Sequence, residues 1–305
     1  MNNSAQISII IITYNRQADM LHLAENITTL QNQQLLKEVI IVNNCSTENY
    51  QKVEEYISKH PEIPFHYFFS NENLGVSRGR NYAIQKSTAP LLVFIDDDAV
   101  FQNKDALLQI HNIFTEEANT NMGIAAFKVY YYSTNQLQVN AFPHKQFEKR
   151  KDLPKFDTYY FSGCAHAIRR SVFNTVGFYP ENFFYGMEEY DLSFRTLKAG
   201  FKIVYDDRVI VMHKESPHGR ISNKDKIRGM WVNKTKVAWK YLQKKHFYST
   251  ALLWSIEYLK RTNGDIRGWI KGWKQVRMIP GTEERTPISS KTISYLEEVD
   301  ARLSY

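Results

Sequence analysis

Short apolar runs alternate with amphipathic stretches through the first hundred residues. Four runs rich in β-branched and aromatic residues predict buried strands, at residues 7–13, 39–44, 64–70 and 90–96. The stretches between them carry apolar residues at helical spacing and predict helices at 17–32, 49–59 and 76–87. This rhythm predicts an α/β fold, with a mainly parallel central sheet and helices on both of its faces.

The pattern is less regular after residue 100. It predicts a helix at 102–118 and a pair of strands around GIAAFKVYYY, residues 123–132. A helix at 188–198 has acids in its first turn, and a strand follows from Lys202 to His213. From about residue 221 onward the apolar spacing is helical.

Polar residues follow three of the predicted strands, at the edge where open α/β sheets bind ligands. They are Thr13, Tyr14, Asn15 and Arg16, then Asn43, Asn44 and Ser46, and finally Asp96, Asp97 and Asp98. Because the carboxyl ends of parallel strands share one edge, we expect these side chains to meet in one binding site.

The three consecutive aspartates repel one another unless positive charge lies among them. One interpretation of Asp96–Asp98 is a solvated turn after the strand, which is common chemistry for aspartate. The other is a divalent cation, because Mg²⁺ and Mn²⁺ prefer carboxylate oxygens and often accompany a substrate diphosphate. In an extended segment Asp96 and Asp98 point to the same side and could share one ion.

Two enzyme classes place such acids at a strand end. Asp96, Asp98 and Val100 match the D-x-D-x-[TV] pattern of haloacid-dehalogenase-like phosphatases, which are metal-dependent. Asp206 and Asp207 could imitate the later metal-binding acids of that family. This alternative gives no role to the polar residues after the other strands.

The second class accounts for more of the chain. ISIIIITYNR, IIVNNCST, NENLGVSRGRNYAI and FIDDDA, followed by GMEEYDLSFRTLKAGFKI and MHKESPHGR, resemble in order the motifs of family 2 glycosyltransferases of GT-A fold. The resemblance covers roughly residues 5–220. It implies a catalytic domain at 1–220, with a nucleotide-binding half at about 1–100 and an acceptor-binding half at about 101–220.

The resemblance also implies a nucleotide-sugar site. Its residues would be Thr13, Tyr14, Arg16, Asn44, Arg80, Asp96 and Asp97, with Tyr14 near the base, Arg16 and Asn44 at the nucleotide end, and Arg80 near the diphosphate. Asp96, Asp98 and His213 would hold Mn²⁺ or Mg²⁺, and Arg220 would touch phosphates. Most relatives have Asp where Asn44 stands, so the base stays open: a UDP-sugar is the first choice and dTDP-rhamnose the second.

Inverting glycosyl transfer needs a base that removes the proton of the acceptor hydroxyl. By resemblance the base is Glu189, while Glu188 and Asp191 position the acceptor or hold the local network. The simpler interpretation is that acids in the first turn only complement the helix dipole. Ser162 and Gly163 lie between aromatics in YYFSGCAHAI, a segment with which relatives line the sugar pocket.

Charge separates the C-terminal part from the rest. Residues 221–280 contain 14 Lys and Arg against 3 acids, a net of +11, while the whole chain carries +7. All five tryptophans lie there too. We predict a basic helical extension at 221–305, which either packs its tryptophans on the core or contacts an anionic membrane surface. No nucleic-acid-binding motif is present, so nucleic acid is not an expected partner.

Composition narrows the remaining classes. A content of 43% apolar residues supports a folded core, and two cysteines make no disulfide framework. The first residues lack a signal-peptide pattern, and no apolar segment is long enough to span a bilayer. We therefore expect a cytoplasmic protein, with a peripheral position at the inner face of the membrane as the alternative. The family resemblance implies an enzyme that serves a surface glycan and takes a glycan or lipid-linked acceptor. A non-catalytic nucleotide-sugar-binding module is the other alternative.

Overall fold

A computed structural model describes residues 6–216 and 222–302. Nine strands form one sheet: β1 (Ile7–Thr13), β2 (Leu36–Asn43), β3 (Phe65–Phe69), β4 (Leu91–Ile95), β5 (Ala99–Phe101), β6 (Met122–Tyr131), β7 (Lys155–Thr158), β8 (Ala165–Arg169) and β9 (Lys202–His213). The helices of the first 200 residues are α1 (Gln17–Thr28), α2 (Gln51–Lys59), α3 (Gly75–Lys86), α4 (Ala106–Thr115), α5 (Phe147–Arg150), α6 (Arg170–Val176) and α7 (Glu188–Lys198). Four helices follow: α8 (Asn223–Tyr241), α9 (Lys244–Arg261), α10 (Ile266–Thr282) and α11 (Ser290–Glu298).

The strand order is β3-β2-β1-β4-β8-β6-β9-β5, with β7 beside β9. The first four strands are parallel, and β8 then runs antiparallel to both β4 and β6. The chain moves outward from β1 to β3 and returns to place β4 on the other side of β1. Such a reversal opens a crevice beyond the strand ends, where α/β proteins bind ligands. The α/β prediction is therefore confirmed, with a mixed second half.

Alternating residues of the strands pack on opposite faces of the sheet. Ile9 and Ile11 lie in one apolar cluster with the α1 and α4 helices, and Ile10 lies in the other with α3 and α7. Both faces are covered because the β1 run is apolar on every residue except Ser8 and the final Thr13. Ser8 is buried as well, and its hydroxyl donates to Glu38 at 2.6 Å.

Two predicted elements differ from the structure. The predicted strand pair at 123–132 is wrong: the residues form the single strand β6, because its partners β8 and β9 come from much later in the chain. The predicted helix at 102–118 shortens to α4. Its expected first turn is taken up by Asn103, whose side chain hydrogen-bonds the backbone of β9 at Arg208 and Ile210.

The helices after residue 222 have a small core of their own. Trp231 is fully buried against α9 and α10, and Trp239, Trp254, Trp269 and Trp273 pack around it. The last turns of α8 and helix α11 instead join the core of the sheet, through residues such as Tyr241 and Leu296. The boundary near residue 220 stays a prediction. None of the helices in the described part combines the length and apolar character needed to cross a bilayer.

Candidate nucleotide and metal site

The loops after β1 and β2 are tied together. Asn15 has a positive φ of 52°, and its side-chain oxygen accepts hydrogen bonds from the N–H groups of Thr47 at 2.8 Å and Glu48 at 3.2 Å. The hydroxyl of Tyr50 bonds Thr13 at 2.6 Å and accepts from the N–H of Arg16 at 2.9 Å. Thr13 is buried in this network and fixes the loop from beneath.

A cleft of about 400 Å³ opens at the point where the sheet order reverses. Of the residues predicted for the nucleotide sugar and the metal, those that line the cleft are Tyr14, Arg16, Asn44, Arg80, Asp96, Asp97, Asp98 and His213. Thr13 is not among the lining residues. Arg220 lies outside the described residues. The structure thus brings the strand-end residues together around one cavity.

The aspartates after β4 form a tight turn, closed by the N–H of Ala99 donating to the carbonyl of Asp96 at 3.0 Å. The expectation of an extended segment is therefore wrong, because the chain must reverse to start β5. The turn is also not a solvated one, since Asp97 and Asp98 are buried. The three aspartates therefore form a turn in which Asp97 and Asp98 are buried, and a turn at this position does not exclude a cation site.

Asp97 is held by a cation from the chain itself. Its Oδ1 accepts from Arg16 Nη1 at 2.7 Å, and the pair is nearly closed to solvent. Burial raises the pKa of Asp97 to about 7, with a further contribution from Asp98, while Arg16 opposes the shift. The chemistry of Asp97 is therefore to anchor Arg16 and the loop after β1.

Asp96, Asp98 and His213 can each point one ligand atom to a common place, with those atoms within 4.8 Å of one another. Strand pairing causes this, because β5 aligns Ala99 with His213 at the end of β9. Asp98 Oδ2 accepts from the N–H of Ser216 at 2.7 Å. Asp98 Oδ1 is buried and lies 3.2 Å from His213 Nε2, yet it accepts no well-aligned hydrogen bond from any described residue.

Two residues behind His213 determine the orientation of its ring. Gln138 donates its amide N–H to Glu215 Oε1 at 2.8 Å, which turns its oxygen toward His213 Nδ1 at 3.0 Å. Because an amide oxygen only accepts, Nδ1 carries a proton and the lone pair of a neutral ring lies on Nε2. Nε2 lies 3.2 Å from Asp98 Oδ1, which accepts no well-aligned hydrogen bond, so these residues fit a divalent cation.

The same arrangement shifts the acid–base behaviour of both groups. Burial opposes the charge on Asp98, but His213, Arg16 and the N–H of Ser216 outweigh it and lower the pKa of Asp98 to about 2. Burial alone would lower the pKa of His213, but the proximity of Asp98 raises it to about 11. In the protein alone a proton on His213 therefore balances Asp98, and a bound cation would take its place.

Arg80 joins this cluster to the acids of α7. Its guanidinium donates to the carbonyl of Gly163 at 2.8 Å and lies 3.3 Å from Glu188 and 3.2 Å from Glu189. It also lies 3.8 Å from Asp96 Oδ1 and packs over the ring of Tyr179. Arg80 borders the cleft near the aspartates, and most of its hydrogen-bonding capacity serves these internal partners.

The two glutamates that begin α7 have different surroundings. Glu188 is buried, and burial followed by the neighbouring Glu189 raises its pKa well above the ordinary value. The Glu189 side chain is 15% exposed and lies against the backbone of Gly163. A Cβ at 163 would come within 2.0 Å of Glu189 Oε1, so only glycine allows this approach.

Asp191 has a structural position. Its carboxylate accepts from Arg195 at 2.7 Å, from Lys240 at 2.5 Å and from the hydroxyl of Tyr241 at 2.8 Å. The bonds from Lys240 and Tyr241 join α7 to α8, while Arg195 lies on α7 itself. The Asp191 side chain is 1% exposed. Of the two roles predicted for Asp191, it holds the local network.

Asn44 shapes the cleft through both ends of its amide. Its nitrogen donates to Asn73 at 3.1 Å and to the carbonyl of Gly75 at 3.2 Å, and its oxygen accepts from the N–H of Leu74 at 2.9 Å. Both amide hydrogens are therefore used to fix the loop before α3. Asn44 therefore holds one wall of the cleft.

The two later acids of the phosphatase alternative, Asp206 and Asp207, have partners outside the cleft. Asp206 pairs with Arg208 of the same strand at 2.7 Å, and Asp207 pairs with Lys128 of β6 at 3.2 Å. Neither is among the residues that line the cleft.

Sequence reasoning missed several residues of the site. Those that line the cleft without having been predicted include Asn73, Phe184, Tyr185, Glu215 and Lys226, and Gln138 lies behind it. The aromatic run before GMEEYD and the glutamate after MHK gave a usable signal, because both adjoin predicted catalytic motifs. Gln138 gave none, because a glutamine in an irregular segment has no pattern that marks it.

Comparison with known proteins agrees with this geometry. The family model described as Glycosyl transferase family 2 matches residues 8–177, more than half of the 305-residue chain. The chain is 24% identical over 187 residues to the O-antigen chain rhamnosyltransferase WbaN of Salmonella anatum, a match that covers 59% of this chain and 57% of that relative.

Solved structures show the same fold. The mannosyltransferase PcManGT from Pyrobaculum calidifontis, in complex with GDP-Man and Mn²⁺, aligns with a TM-score of 0.58 at 13% identity, over 97% of this chain and 79% of that one. GalNAc-T7 with UDP, GalNAc and Mn²⁺ aligns with a TM-score of 0.66 at 17% identity, over 98% of this chain and 57% of that one. With a GT-A fold and the family's motifs in order around one cleft, the chain belongs to glycosyl transferase family 2 and is a glycosyltransferase.

Proposed function

We propose that this glycosyltransferase moves a sugar, with inversion, from a nucleoside diphosphate donor to a glycan or lipid-linked acceptor in a reaction that depends on Mn²⁺ or Mg²⁺. The observation that carries the proposal is the meeting of Asp96, Asp98 and His213 in a cleft at the reversal of the sheet order. Both GT-A neighbours described above were solved with Mn²⁺. They carry different nucleotides, so the fold alone does not select the base.

For the donor we keep a UDP-sugar as the first choice and dTDP-rhamnose as the second. Tyr14 and Asn44 border the end of the cleft proposed for the nucleotide, and Asp96 the end proposed for the diphosphate. The rhamnosyltransferase among the relatives supports the second choice. A metal held by Asp96, Asp98 and His213 would supply Lewis-acid stabilisation of the charge on the departing diphosphate.

Glu189 is the proposed base. It accepts the proton of the acceptor hydroxyl while that oxygen forms a bond to the anomeric carbon, and the bond from that carbon to the diphosphate oxygen breaks. The nucleoside diphosphate leaves with the electron pair. Arg80 and Gly163 hold the Glu189 carboxylate in place. Burial and the neighbouring Glu189 raise the pKa of Glu188, which favours its neutral form and leaves the charge of Arg80 to Glu189 and Asp96.

The acceptor would approach from the side of Phe184 and Tyr185. Phe184 is 49% exposed at the edge of the cleft and can stack on the apolar face of a sugar. We propose the cytoplasmic side of a membrane as the place of transfer, since activated sugars are made in the cytoplasm. A product that belongs to a surface polysaccharide follows from the family and from WbaN by analogy.

Thermal unfolding with UDP, dTDP, GDP and CMP, each with and without Mn²⁺, tests the donor site. A ligand at about 100 times its Kd adds about 2.7 kcal/mol to the free energy of unfolding. We expect one nucleotide to raise the Tm only when Mn²⁺ is present, and Asp98→Ala to abolish that rise. Asp207→Ala makes the same chemical change outside the cleft and should keep it. A metal-dependent rise that survives in Asp98→Ala would overturn the proposed site.

A further inference from the structure

The outward faces of α9 and α10 carry an unusual share of exposed apolar surface. Seven of the thirteen exposed large apolar side chains of the described residues lie on these two helices: Tyr248, Leu252, Leu253, Ile256, Ile266, Ile270 and Met278. The tryptophans that made this region notable in the sequence lie inside the bundle instead. The apolar surface is therefore additional to what the bundle uses for its own core.

On α9 the apolar residues form one stripe with a lysine at each end. Lys245, Tyr248, Leu252, Ile256 and Lys260 are all exposed and follow one another at intervals of three or four residues. Such intervals align side chains on one face of a helix. Tyr248 is 65% exposed and Leu252 is 55% exposed, so neither contributes much to the protein's own packing.

On α10 the stripe combines two apolar residues with two cations. Ile266, Ile270, Lys274 and Arg277 share one exposed face, again at intervals of three or four. Arg267 and Lys271 flank it, and α10 contains no acidic residue.

The charge around both stripes is strongly positive. Residues 244–282 hold eight exposed Lys and Arg and two acids, Glu257 and Asp265. Glu257 pairs with Arg261 at 2.6 Å, and Asp265 bonds Tyr258 and the N–H of Gly268. Both acids are thus committed to the helices themselves, and the outward surface is basic.

We infer that the α9–α10 face, residues 244–282, binds the surface of an anionic lipid bilayer. Aliphatic side chains enter the boundary between headgroups and acyl chains, while lysines and arginines reach the phosphates. Nucleic acid would use the cations and leave the leucines and isoleucines in water. A second copy would bring two basic surfaces together, and such an interface is normally poor in lysine. The functional reason for this membrane binding rests on the proposed function, because a lipid-linked acceptor would lie at the bilayer surface.

Flotation with vesicles tests the inference without any sugar. Vesicles of phosphatidylcholine alone are compared with vesicles that also contain phosphatidylglycerol, at low and at high salt. We expect binding only to the anionic vesicles, weaker at high salt because the attraction is screened. Reversing two charges with Lys274→Glu and Arg277→Glu should lower the partition coefficient by about tenfold or more. The pair Lys52→Glu and Lys59→Glu on α2 changes the net charge equally and should leave binding intact.

The apolar stripe has its own variant. Leu252→Ser with Ile256→Ser should weaken vesicle binding by about tenfold, because each removes aliphatic area that would enter the bilayer. Leu153→Ser is the control, because Leu153 is also exposed but lies outside residues 244–282. Tm values verify that each variant folds. A control variant that loses as much vesicle binding as its test variant would overturn the inference.

Two other outcomes would assign the face to another occupant. A dimer in light scattering that dissociates in the serine pair, without vesicle binding, would indicate a second copy. Oligonucleotide binding that falls only with the glutamate pair would indicate nucleic acid. Nucleotide-dependent Tm shifts should be unchanged in all of these variants. The vesicle assay therefore tests membrane binding, and the Tm shifts test the proposed donor site independently of it.

Discussion

Two clusters of three carboxylates meet across Arg80, and their members divide in the same way. In the turn after β4, Asp97 is locked to Arg16, Asp98 is buried beside His213, and Asp96 is open with 40% of its side chain exposed. At the start of α7, Asp191 is locked to Lys240 and Arg195, Glu188 is buried, and Glu189 is the most open. Each cluster therefore has one structural acid, one buried acid and one accessible acid.

The difference lies in what balances the buried acid. Asp98 has a partner, His213, which can release its proton to solvent when a cation binds, and the pKa of Asp98 is lowered. Glu188 has its neighbour Glu189 and a shared Arg80, and its pKa is raised. A buried carboxyl thus has its pKa lowered in one cluster and raised in the other, which suits the first to a metal and the second to proton transfer.

Glu189→Gln should give the largest change in rate and the sharpest test of this division. Loss of a general base typically costs about 10²–10⁴-fold, so we expect that loss in kcat with unchanged metal-dependent nucleotide binding. The matched variant is Glu188→Gln. Because burial and the like charge of Glu189 raise the pKa of Glu188 and favour its neutral form, an amide at this position should keep the rate within about tenfold.

The pair of variants is measured by transfer kinetics and by nucleotide titration on the same samples. A large loss in Glu188→Gln with little loss in Glu189→Gln would reverse the assignment of the two acids. Equal losses would mean that the pair acts as one unit that shares a proton.

Asp191→Asn should have the next largest effect, on stability. Removing one partner of a buried ion pair typically costs about 3–5 kcal/mol, because Lys240 and Arg195 would lose their counter-charge. Urea unfolding at neutral pH measures it. Asp300→Asn removes an acid that pairs with Arg150 but is half exposed, and should cost less than about 1 kcal/mol.

The pH dependence of Asp191 follows from the direction of its shift. Burial opposes its charge, but Arg195, Lys240 and Tyr241 lower its pKa below the ordinary value. A lowered folded pKa stabilises the protein above the unfolded pKa of about 3.9 and loses this contribution as the pH falls through the folded value. The difference between wild type and Asp191→Asn should therefore be constant near neutrality and shrink below about pH 4. A difference that grows in acid would contradict the ion-pair account.

Sequence patterns were sufficient to predict the first half of the fold and to identify the candidate carboxylates of the cleft. They were insufficient to predict which carboxylate is held in an ion pair and which is accessible. Apolar runs of β1 to β4 specify buried strands whatever their partners, so these elements could be predicted. The pairing of β5 with β9, which brings His213 to Asp98, depends on contacts between distant segments. Which carboxylate is locked depends on Arg16 and Lys240, and no local spacing reveals those partners.

Gly163→Ala tests how Glu189 is positioned. An alanine Cβ would come within 2.0 Å of the Glu189 carboxylate and 3.1 Å of Arg80, so the carboxylate must move. A misplacement of about 1 Å can cost roughly 10²-fold in rate, and we expect a loss of that order in kcat. Nucleotide binding should stay unchanged, because Gly163 does not line the cleft. Ser162→Ala is the matched control at the neighbouring position, and an equal loss there would point to the backbone of the whole segment.

Gln138→Leu tests whether the orientation of the His213 ring supports cation binding beside Asp98, and it should have the smallest effect. Gln138 does not line the cleft, yet it fixes a proton on His213 Nδ1 and so turns Nε2 toward Asp98, where it can bind a cation once its own proton has left. Loss of such a supporting hydrogen bond typically weakens metal affinity by about 10–100-fold. Calorimetric titration with Mn²⁺ alone measures this without any turnover. Gln136→Leu, an exposed glutamine two residues earlier, should bind Mn²⁺ as the wild type does. If Gln138→Leu also binds Mn²⁺ normally, the ring of His213 is oriented by β9 alone or is not a ligand, and His213→Ala then separates those two cases.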